Sequence, residues 1–145
     1  HWEWASNPNE RERASFLKEN FIPLQEQSKI RFIESDKTYL EWLPGIVIRF
    51  SYGHTEAMMT LEIEWNDQKY VYCADLLPSS FHIGMPYIMA YDVRPLVSLQ
   101  EKEFLLRQAV DHNHILMLEH DPMAPAVTVK YDERGRIILD RIIQI

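Results

Sequence analysis

Residues 59–66 alternate between apolar and polar side chains, and this alternation limits the folds open to the chain more than any other feature. A period of two predicts a β-strand with one face inward and the other toward water. The turn at residues 66–69 leads into "YVYCAD", a nearly continuous apolar run typical of a central strand buried on both faces. The inward positions would be Met59, Leu61, Ile63 and Trp65, and the outward positions Thr60, Glu62, Glu64 and Asn66.

Further β-favouring runs surround this pair of strands. They are "KIRFIES", "TYLEWL", "IVIRF", "ILMLEH" and a final hairpin, "VTVKYDERGRIILDRIIQI". Turn residues separate the early runs at Ser35–Asp36–Lys37 and at Pro44–Gly45. Gly135 can adopt the positive φ that the turn of the last hairpin requires. The chain is therefore expected to be built on a sheet.

A first helix is predicted near the amino end. Asn7 would be its N-cap, Pro8 its first helical residue and Glu10 the partner in a capping box. The helix would run to about Ile22, because Pro23 has no amide and would end it.

A second helix is predicted after Ser98, which would form a capping box with Glu101. It would end near residues 112–114. Its inward face would consist of Leu105, Leu106, Ala109 and Val110.

Length and composition indicate one ordered domain over residues 1–145, with 46% hydrophobic and 26% charged residues. The net charge of −7 disfavours attraction to nucleic acid or to an anionic membrane. The single cysteine, Cys73, permits no internal disulfide and is expected to be a small buried side chain in a cytoplasmic protein. We find no apolar stretch of about 18 residues and no signal peptide. Because the chain begins with His1, it is expected to be the downstream part of a longer protein.

Three metal-capable side chains stand at the ends of predicted strands: His54 after "IVIRF", Asp75 at the end of "YVYCAD" and His120 at the end of "ILMLEH". If these strands run in the same sense, their carboxyl ends lie on one edge of the sheet. Imidazole and carboxylate are suitable ligands for zinc or iron. The alternative is that the three residues are caps, turn-formers or hydrogen-bonded core groups.

The sequence around these residues closely resembles the carboxyl-terminal half of metallo-β-lactamase-fold hydrolases, especially the lactonase-like branch. The similarity runs from about Trp2 to Pro125. It rests on "SYGHTEAMMTLEI", "VYCADLLPSSFHIGMPYIMAYDVRPLVSLQEKEFLL" and "ILMLEHDP". The resemblance implies an α/β (α+β) fold, half of an αββα sandwich with a mixed sheet and flanking helices.

The same resemblance implies a dinuclear metal site, commonly of zinc. His54 would bind the first metal, Asp75 would bridge both metals, and His120 would bind the second. A bound water with its pKa lowered toward ~7 would supply hydroxide to attack a carbonyl carbon of an ester, lactone, amide or thioester. Phe81, His82, Met85 and Tyr87 would lie near the substrate pocket, although packing roles explain them equally well.

The sequence departs from the family pattern in several places. Residues 56–58, Glu-Ala-Met, replace the Pro-Gly-His of the third motif, and Ala74 replaces the glycine before the bridging aspartate. The His-x-His-x-Asp-His motif, which supplies most of the remaining ligands, does not occur. His112 and His114 form a His-x-His pair, but at a helix end, where they interact more simply with the helix dipole.

The 145 residues therefore resemble half of an enzyme. By itself the chain is expected to bind metal weakly and to catalyse little, because metal affinity requires the complete ligand set. The missing amino-terminal half would be its main partner and would cover the apolar face of the strand at 59–65. Left bare, such a face favours a homo-oligomer.

Two other functions remain open. A non-catalytic binding or assembly domain could have kept the fold and lost the metal. A nuclease of the same fold is disfavoured by the charge of −7.

Overall fold

The computed structural model describes residues 1–34 and 37–144. The chain divides into two compact units, His1–Lys37 and Thr38–Ile145. That residues 1–145 form one domain stays a prediction.

The first unit contains two short helices, α1 (Trp2–Ser6) and α2 (Lys18–Glu26). The predicted helix from Pro8 to Ile22 is therefore wrong. The side chain of Asn9 accepts hydrogen bonds from the backbone amides of Arg11 and Glu12, at 2.9 and 3.1 Å, and so forms a turn where the helix was expected. Such side-chain bonds compete with helix formation.

Pro23 lies inside α2 and does not end a helix at Ile22. The ring of Trp2 in α1 packs edge-on against Phe21 of α2 and against Phe32, with ring centroids 5.4 and 5.2 Å apart. Residues 29–34 of the predicted strand "KIRFIES" are not in a strand. The predicted turn at Ser35 and Asp36 lies outside the described residues.

The second unit is a seven-stranded mixed sheet whose strands lie in sequence order. The strands are β1 (Tyr39–Leu43), β2 (Ile46–Ser51), β3 (Met58–Trp65), β4 (Gln68–Tyr72), β5 (Ile115–Met117), β6 (Ala126–Tyr131) and β7 (Ile137–Ile143). All neighbours pair antiparallel except β4 and β5, which are parallel. The predicted turns at Asn66–Asp67 and Gly135 are present, and all three residues have positive φ.

A long helix, α3 (Pro95–Asp111), lies in the crossover between the two parallel strands. It begins at Pro95, four residues before the predicted start after Ser98, so the predicted capping box is wrong. Ser98 lies within the helix, and the Glu101 carboxylate accepts instead from the amides of Tyr52 and Gly53. The inward face is largely as predicted, with Leu105, Leu106 and Ala109 buried.

The core lies between α3 and one face of the sheet. Leu106 of α3, Leu116 of β5 and Val127 of β6 are fully buried in it. Cys73, just after β4, is also fully buried, as expected.

The two faces of β3 differ from the prediction. Thr60 is 2% exposed and Glu62 is half-buried, although both were expected to face water. Arg49 and Lys69 pair with Glu62 at 2.8 and 3.2 Å, and this pairing offsets the cost of burying its charge. Two of the apolar positions on the other face stay exposed, Met59 at 44% and Trp65 at 66%.

Two short 3₁₀ helices, Ala74–Leu76 and Ser80–His82, follow β4 and lead into the segment before α3. Within the described ranges, none of the helices combines the length and the apolar character that crossing a bilayer requires.

Candidate metal centre

Three strands of the sheet end at one edge. β4 and β5 are parallel, and β2 runs in the same sense because two antiparallel pairings separate it from β4. His54 follows β2, Asp75 lies in the 3₁₀ helix after β4, and His120 stands three residues beyond the end of β5. Both β4 and β5 are shorter than predicted, but the three side chains still reach the same edge.

The three side chains meet at the carboxylate of Asp75. His54 Nε2 lies 3.3 Å from Asp75 Oδ2, and His120 Nε2 lies 3.1 Å from Asp75 Oδ1. Each carboxylate oxygen thus faces one imidazole nitrogen. This one-to-one arrangement is what a carboxylate bridging two cations requires of its neighbours.

Two further observations fit a metal at this place. Oδ1 of Asp75 is buried and has no aligned hydrogen bond, although His120 is within ion-pair distance. Buried carboxylate oxygens normally have a partner, so this atom is available to a cation. Ligands of a tetrahedral zinc ion stand about 3.3–3.6 Å apart, given metal–ligand distances of about 2.0–2.2 Å. The two measured separations are close to that spacing.

Among residues 1–34 and 37–144, no three or more His, Cys, Asp or Glu side chains are grouped so as to hold a metal ion. His54 and His120 face different oxygens of Asp75 instead of converging on one point. The described residues therefore offer two pairs of candidate ligands, and neither pair alone would complete a coordination shell.

The charges of this cluster are strongly coupled. Burial acts to lower the pKa of His54, but hydrogen bonds to Asp75 and Asp92, together with their negative charges, outweigh it and raise that pKa to about 9. The hydrogen bond from His54, with the charges of His54 and His120, holds the pKa of Asp75 below its ordinary value against the effect of burial. These contacts favour the protonated form of His54 at neutral pH.

Asp92 is a site residue that the sequence analysis missed. Its carboxylate is 3% exposed and accepts a hydrogen bond from Nδ1 of His54 at 2.9 Å. A carboxylate on the far nitrogen of a ligating histidine sets the orientation and tautomer of the ring. This bond leaves Nε2 of His54 directed at Asp75.

The segment before α3 and its first turns hold the loop that carries His54. Glu101 accepts from the amides of Tyr52 and Gly53 at 2.7 and 3.1 Å. The amide of Arg94 donates to the carbonyl of Gly53 at 2.9 Å, and its guanidinium bonds Glu56 at 2.7 Å. A Cβ on Gly53 would lie 2.2 Å from the amide nitrogen of Ser98, so only glycine fits there.

Two alanines near the site have left-handed backbone conformations: Ala57 in the His54 loop with φ +53°, and Ala74 immediately before Asp75 with φ +45°. An L-residue with a Cβ pays roughly 1–2 kcal/mol for this conformation. The family pattern has glycine at both places. The change from glycine to alanine at position 74 is therefore a source of backbone strain beside the aspartate.

His120 is held more loosely than His54. Its side chain is 55% exposed, and besides Asp75 it faces Glu119 at 3.5 Å. Glu119 accepts a hydrogen bond from the hydroxyl of Tyr72, which together with burial raises the pKa of Tyr72 to about 12. Of the two carboxylates adjacent to His120 in the sequence, Glu119 faces the site and Asp121 does not.

Asp121 has a structural role. Its carboxylate accepts from the amide and hydroxyl of Ser80 at 2.8 and 2.5 Å and from the amides of Met123 and Ala124. Burial acts to raise its pKa, but these four bonds lower it to about 2.

The predicted substrate-pocket residues are divided between two places. Phe81 is 80% exposed, and Nδ1 of His82 pairs with the hydroxyl of Ser79 at 2.8 Å. Met85 and Tyr87 line a cavity of about 550 Å³ formed with α3 and the β6–β7 turn, and none of the three candidate ligands lines it. His112 and His114 stack at the end of α3, away from the cluster at Asp75.

Comparison with solved structures gives matches over the whole chain. A probable metal-dependent hydrolase from Staphylococcus aureus matches 99% of the chain with a TM-score of 0.79 and 26% identity. AbOPH, a hydrolase of the beta-lactamase superfamily, matches 100% with a TM-score of 0.76 and 14% identity. AidC, a dizinc quorum-quenching lactonase in complex with the product N-hexanoyl-L-homoserine, matches 99% with a TM-score of 0.69 and 18% identity.

The chain spans about half the length of these structures: 50%, 51% and 52% respectively. No protein-family model matches the sequence, and a search of curated proteins gives no match. The predicted resemblance and fold class are confirmed: the mixed sheet and its helices match half of a metallo-β-lactamase domain.

Proposed function

We propose that this chain, whose fold is that of half a metallo-β-lactamase-superfamily hydrolase, is part of a metal-dependent enzyme that hydrolyses an ester, lactone, amide or thioester. One observation carries the proposal: the two oxygens of Asp75 face one histidine each, at 3.3 and 3.1 Å. A structural ion pair needs only one such contact. Two contacts on opposite oxygens suit a bridging ligand.

His54, Asp75 and His120 are the residues that would hold the metals, with zinc as the proposed ion. When bound, the metals lower the pKa of water toward ~7 and stabilise negative charge on a carbonyl oxygen. Asp92 keeps the Nδ1 proton of His54 in place and so presents Nε2 as a ligand. Asp75 provides the negative charge that offsets part of the charge of two cations.

The remaining ligands would come from a preceding half of the same protein. The chain covers about half of each neighbour, and β3 leaves Met59 and Trp65 exposed on the face away from α3. A second sheet packed on that face would bury these side chains, as in a sandwich. Without it, residues 1–145 would bind metal weakly and have little activity, and the bare face would favour a homo-oligomer.

The proposed substrate is a small molecule with a hydrolysable carbonyl group. Phe81 and His82, in the segment that follows Asp75, are the proposed substrate-facing side chains, because Phe81 is 80% exposed and His82 follows it in the same 3₁₀ helix. The net charge of −7 argues against a nucleic acid substrate. Cys73, the one cysteine, is fully buried, and a cytoplasmic location is proposed.

Substitution of His120 by alanine tests the proposal. In the protein as it occurs, with whatever sequence flanks residues 1–145, His120→Ala should lower bound zinc and abolish metal-dependent turnover of ester and lactone substrates. His112→Ala is the matched control, because His112 is exposed, bonds Gln108 of its own helix and stacks on His114 rather than on the cluster at Asp75. Full turnover in the His120 variant would overturn the proposal. An unmodified protein without bound transition metal would favour a non-catalytic domain instead.

A further inference from the structure

Lys102 is a buried lysine that the proposed chemistry does not use. It lies in the middle of α3 and is 1% exposed. A buried ammonium group is costly unless hydrogen bonds replace its water shell. Burial accordingly lowers the pKa of Lys102 to about 8, an effect that the nearby charge of Asp92 partly opposes.

The ammonium of Lys102 donates to four backbone carbonyls. They belong to His82, Gly84, Met85 and Tyr87, at 3.0, 3.1, 3.1 and 2.6 Å. An ammonium has three protons, so the four carbonyls share them. Four of the six residues from 82 to 87 are thus bound to a single side chain.

The segment that these carbonyls belong to has little regular structure of its own. Residues 83–94 contain no helix or strand, so their backbone groups are not paired in a ladder. Lys102 supplies the hydrogen bonds that secondary structure supplies elsewhere. Backbone bonds also hold the segment at places such as Arg94 to Gly53, but between residues 82 and 87 Lys102 donates to four of the carbonyls.

The segment is flanked on both sides by contacts to the candidate metal centre. Shortly before it, the carbonyl of Pro78 accepts from the amide of His120 at 3.0 Å. At its end, Asp92 bonds the ring of His54. A change of backbone conformation between residues 82 and 87 would therefore disturb the contact of Pro78 with His120 and that of Asp92 with His54.

We propose that Lys102 is a positioning residue that holds residues 79–92, the segment joining the two histidines' surroundings, in the conformation that the site requires. It does not touch substrate or metal. The effect of Lys102 on catalysis rests on the proposed hydrolase function. Its effect on the conformation of residues 79–92 does not.

Hydrogen exchange of backbone amides tests the structural part. In the protein as it occurs, Lys102→Met should speed exchange of the amides at 83–91 by at least about tenfold, because bonds to a charged donor are among the strong ones. Amides of β6 and β7 should be unchanged. Arg107→Met is the control on the same helix, since Arg107 is exposed and bonds Glu103. Unchanged exchange at 83–91 in a folded Lys102→Met variant would overturn the proposal.

The unmodified protein offers a test that does not depend on a variant folding. The ammonium protons of Lys102 should exchange with water at least about tenfold more slowly than those of Lys130, which is 55% exposed. Equal exchange at the two lysines would overturn the inference.

Kinetics test the catalytic part. Lys102→Met should weaken zinc binding and raise KM by at least about fivefold, and Lys102→Arg should restore part of both losses because it keeps the charge. An unchanged KM beside faster exchange at 83–91 would overturn the positioning role. If the unmodified protein hydrolyses nothing, the proposed function fails, while the exchange experiments still decide the role of Lys102.

Discussion

The two histidines of the candidate centre are held very differently. His54 is 17% exposed, is bonded by a carboxylate that is itself 3% exposed, and sits on a loop bound at several points to α3 and the residues before it. The ring of His120 is 55% exposed and lies beside Asp75 and Glu119. The His54 side of the candidate centre is therefore preorganised by this chain. The His120 side is more open, and under the proposed function it would be completed by a preceding half of the protein.

The largest loss of turnover is expected on changing Asp75, the residue that contacts both His54 and His120. Asp75→Asn removes the charge that both sides use, and it should lower metal-dependent turnover by more than about 1000-fold, since a catalytic metal contributes several kcal/mol. Bound metal and turnover are the measurements. Asp67→Asn is the control, because asparagine tolerates the positive φ of that turn. Full metal occupancy in the Asp75 variant would show that the two sides are not joined through this carboxylate.

The free energy of unfolding should depend on pH through His54, the more firmly held of the two histidines. In the metal-free protein the pKa of His54 is raised from 6.5 to about 9, so protonated His54 stabilises the fold. This stabilisation is complete below pH 6.5 and is lost as the pH rises through about 9. At about 1.4 kcal/mol per pKa unit, the loss amounts to about 3 kcal/mol.

Urea unfolding between pH 6 and 10 measures this loss as the difference between the unmodified protein and His54→Gln. The difference is needed because Lys102, with its pKa lowered to about 8 by burial, acts in the opposite direction above pH 8. A difference that does not change with pH would contradict the assigned contacts of His54.

Asp92, on the far nitrogen of His54, and Glu119, beside Nε2 of His120, should differ in their effect on metal affinity. Asp92→Asn should weaken zinc binding by about 10–100-fold, the range found for partners of ligating histidines. Glu119→Gln should weaken it by less than about threefold, because Glu119 is 36% exposed and faces an exposed ring. Competition with a chelator measures both. Equal losses would remove the distinction between the two sides.

The smallest effect concerns backbone strain, which lies on the His54 and Asp75 side. Ala57→Gly and Ala74→Gly should each raise the free energy of unfolding by about 0.5–1 kcal/mol, because glycine takes positive φ without the clash of a Cβ. Ala109→Gly, inside α3, should instead lower it by about 1 kcal/mol. Denaturant unfolding distinguishes these signs, and destabilisation by Ala74→Gly would show that its Cβ contacts outweigh the strain.

Much of the sheet could be predicted because its signals are local. The alternation at 59–65 and the turns at Asn66–Asp67 and Gly135 involve residues only a few positions apart. The amino-terminal unit could not be predicted in the same way. Asn7 and Asn9 are both plausible caps, and only the folded unit shows that Asn9 forms a turn with Glu12.

The sequence by itself determined where β1 to β7 lie along the chain. It also determined the three side chains that follow β2, β4 and β5, namely His54, Asp75 and His120. The tertiary structure decided which polar groups are buried and what they contact. Asp92 bonds a histidine 38 residues away, and Lys102 bonds carbonyls up to 20 residues away. The physical reason is that strand and turn preferences act between near neighbours, whereas burial, charge pairing and pKa depend on groups that only folding brings together.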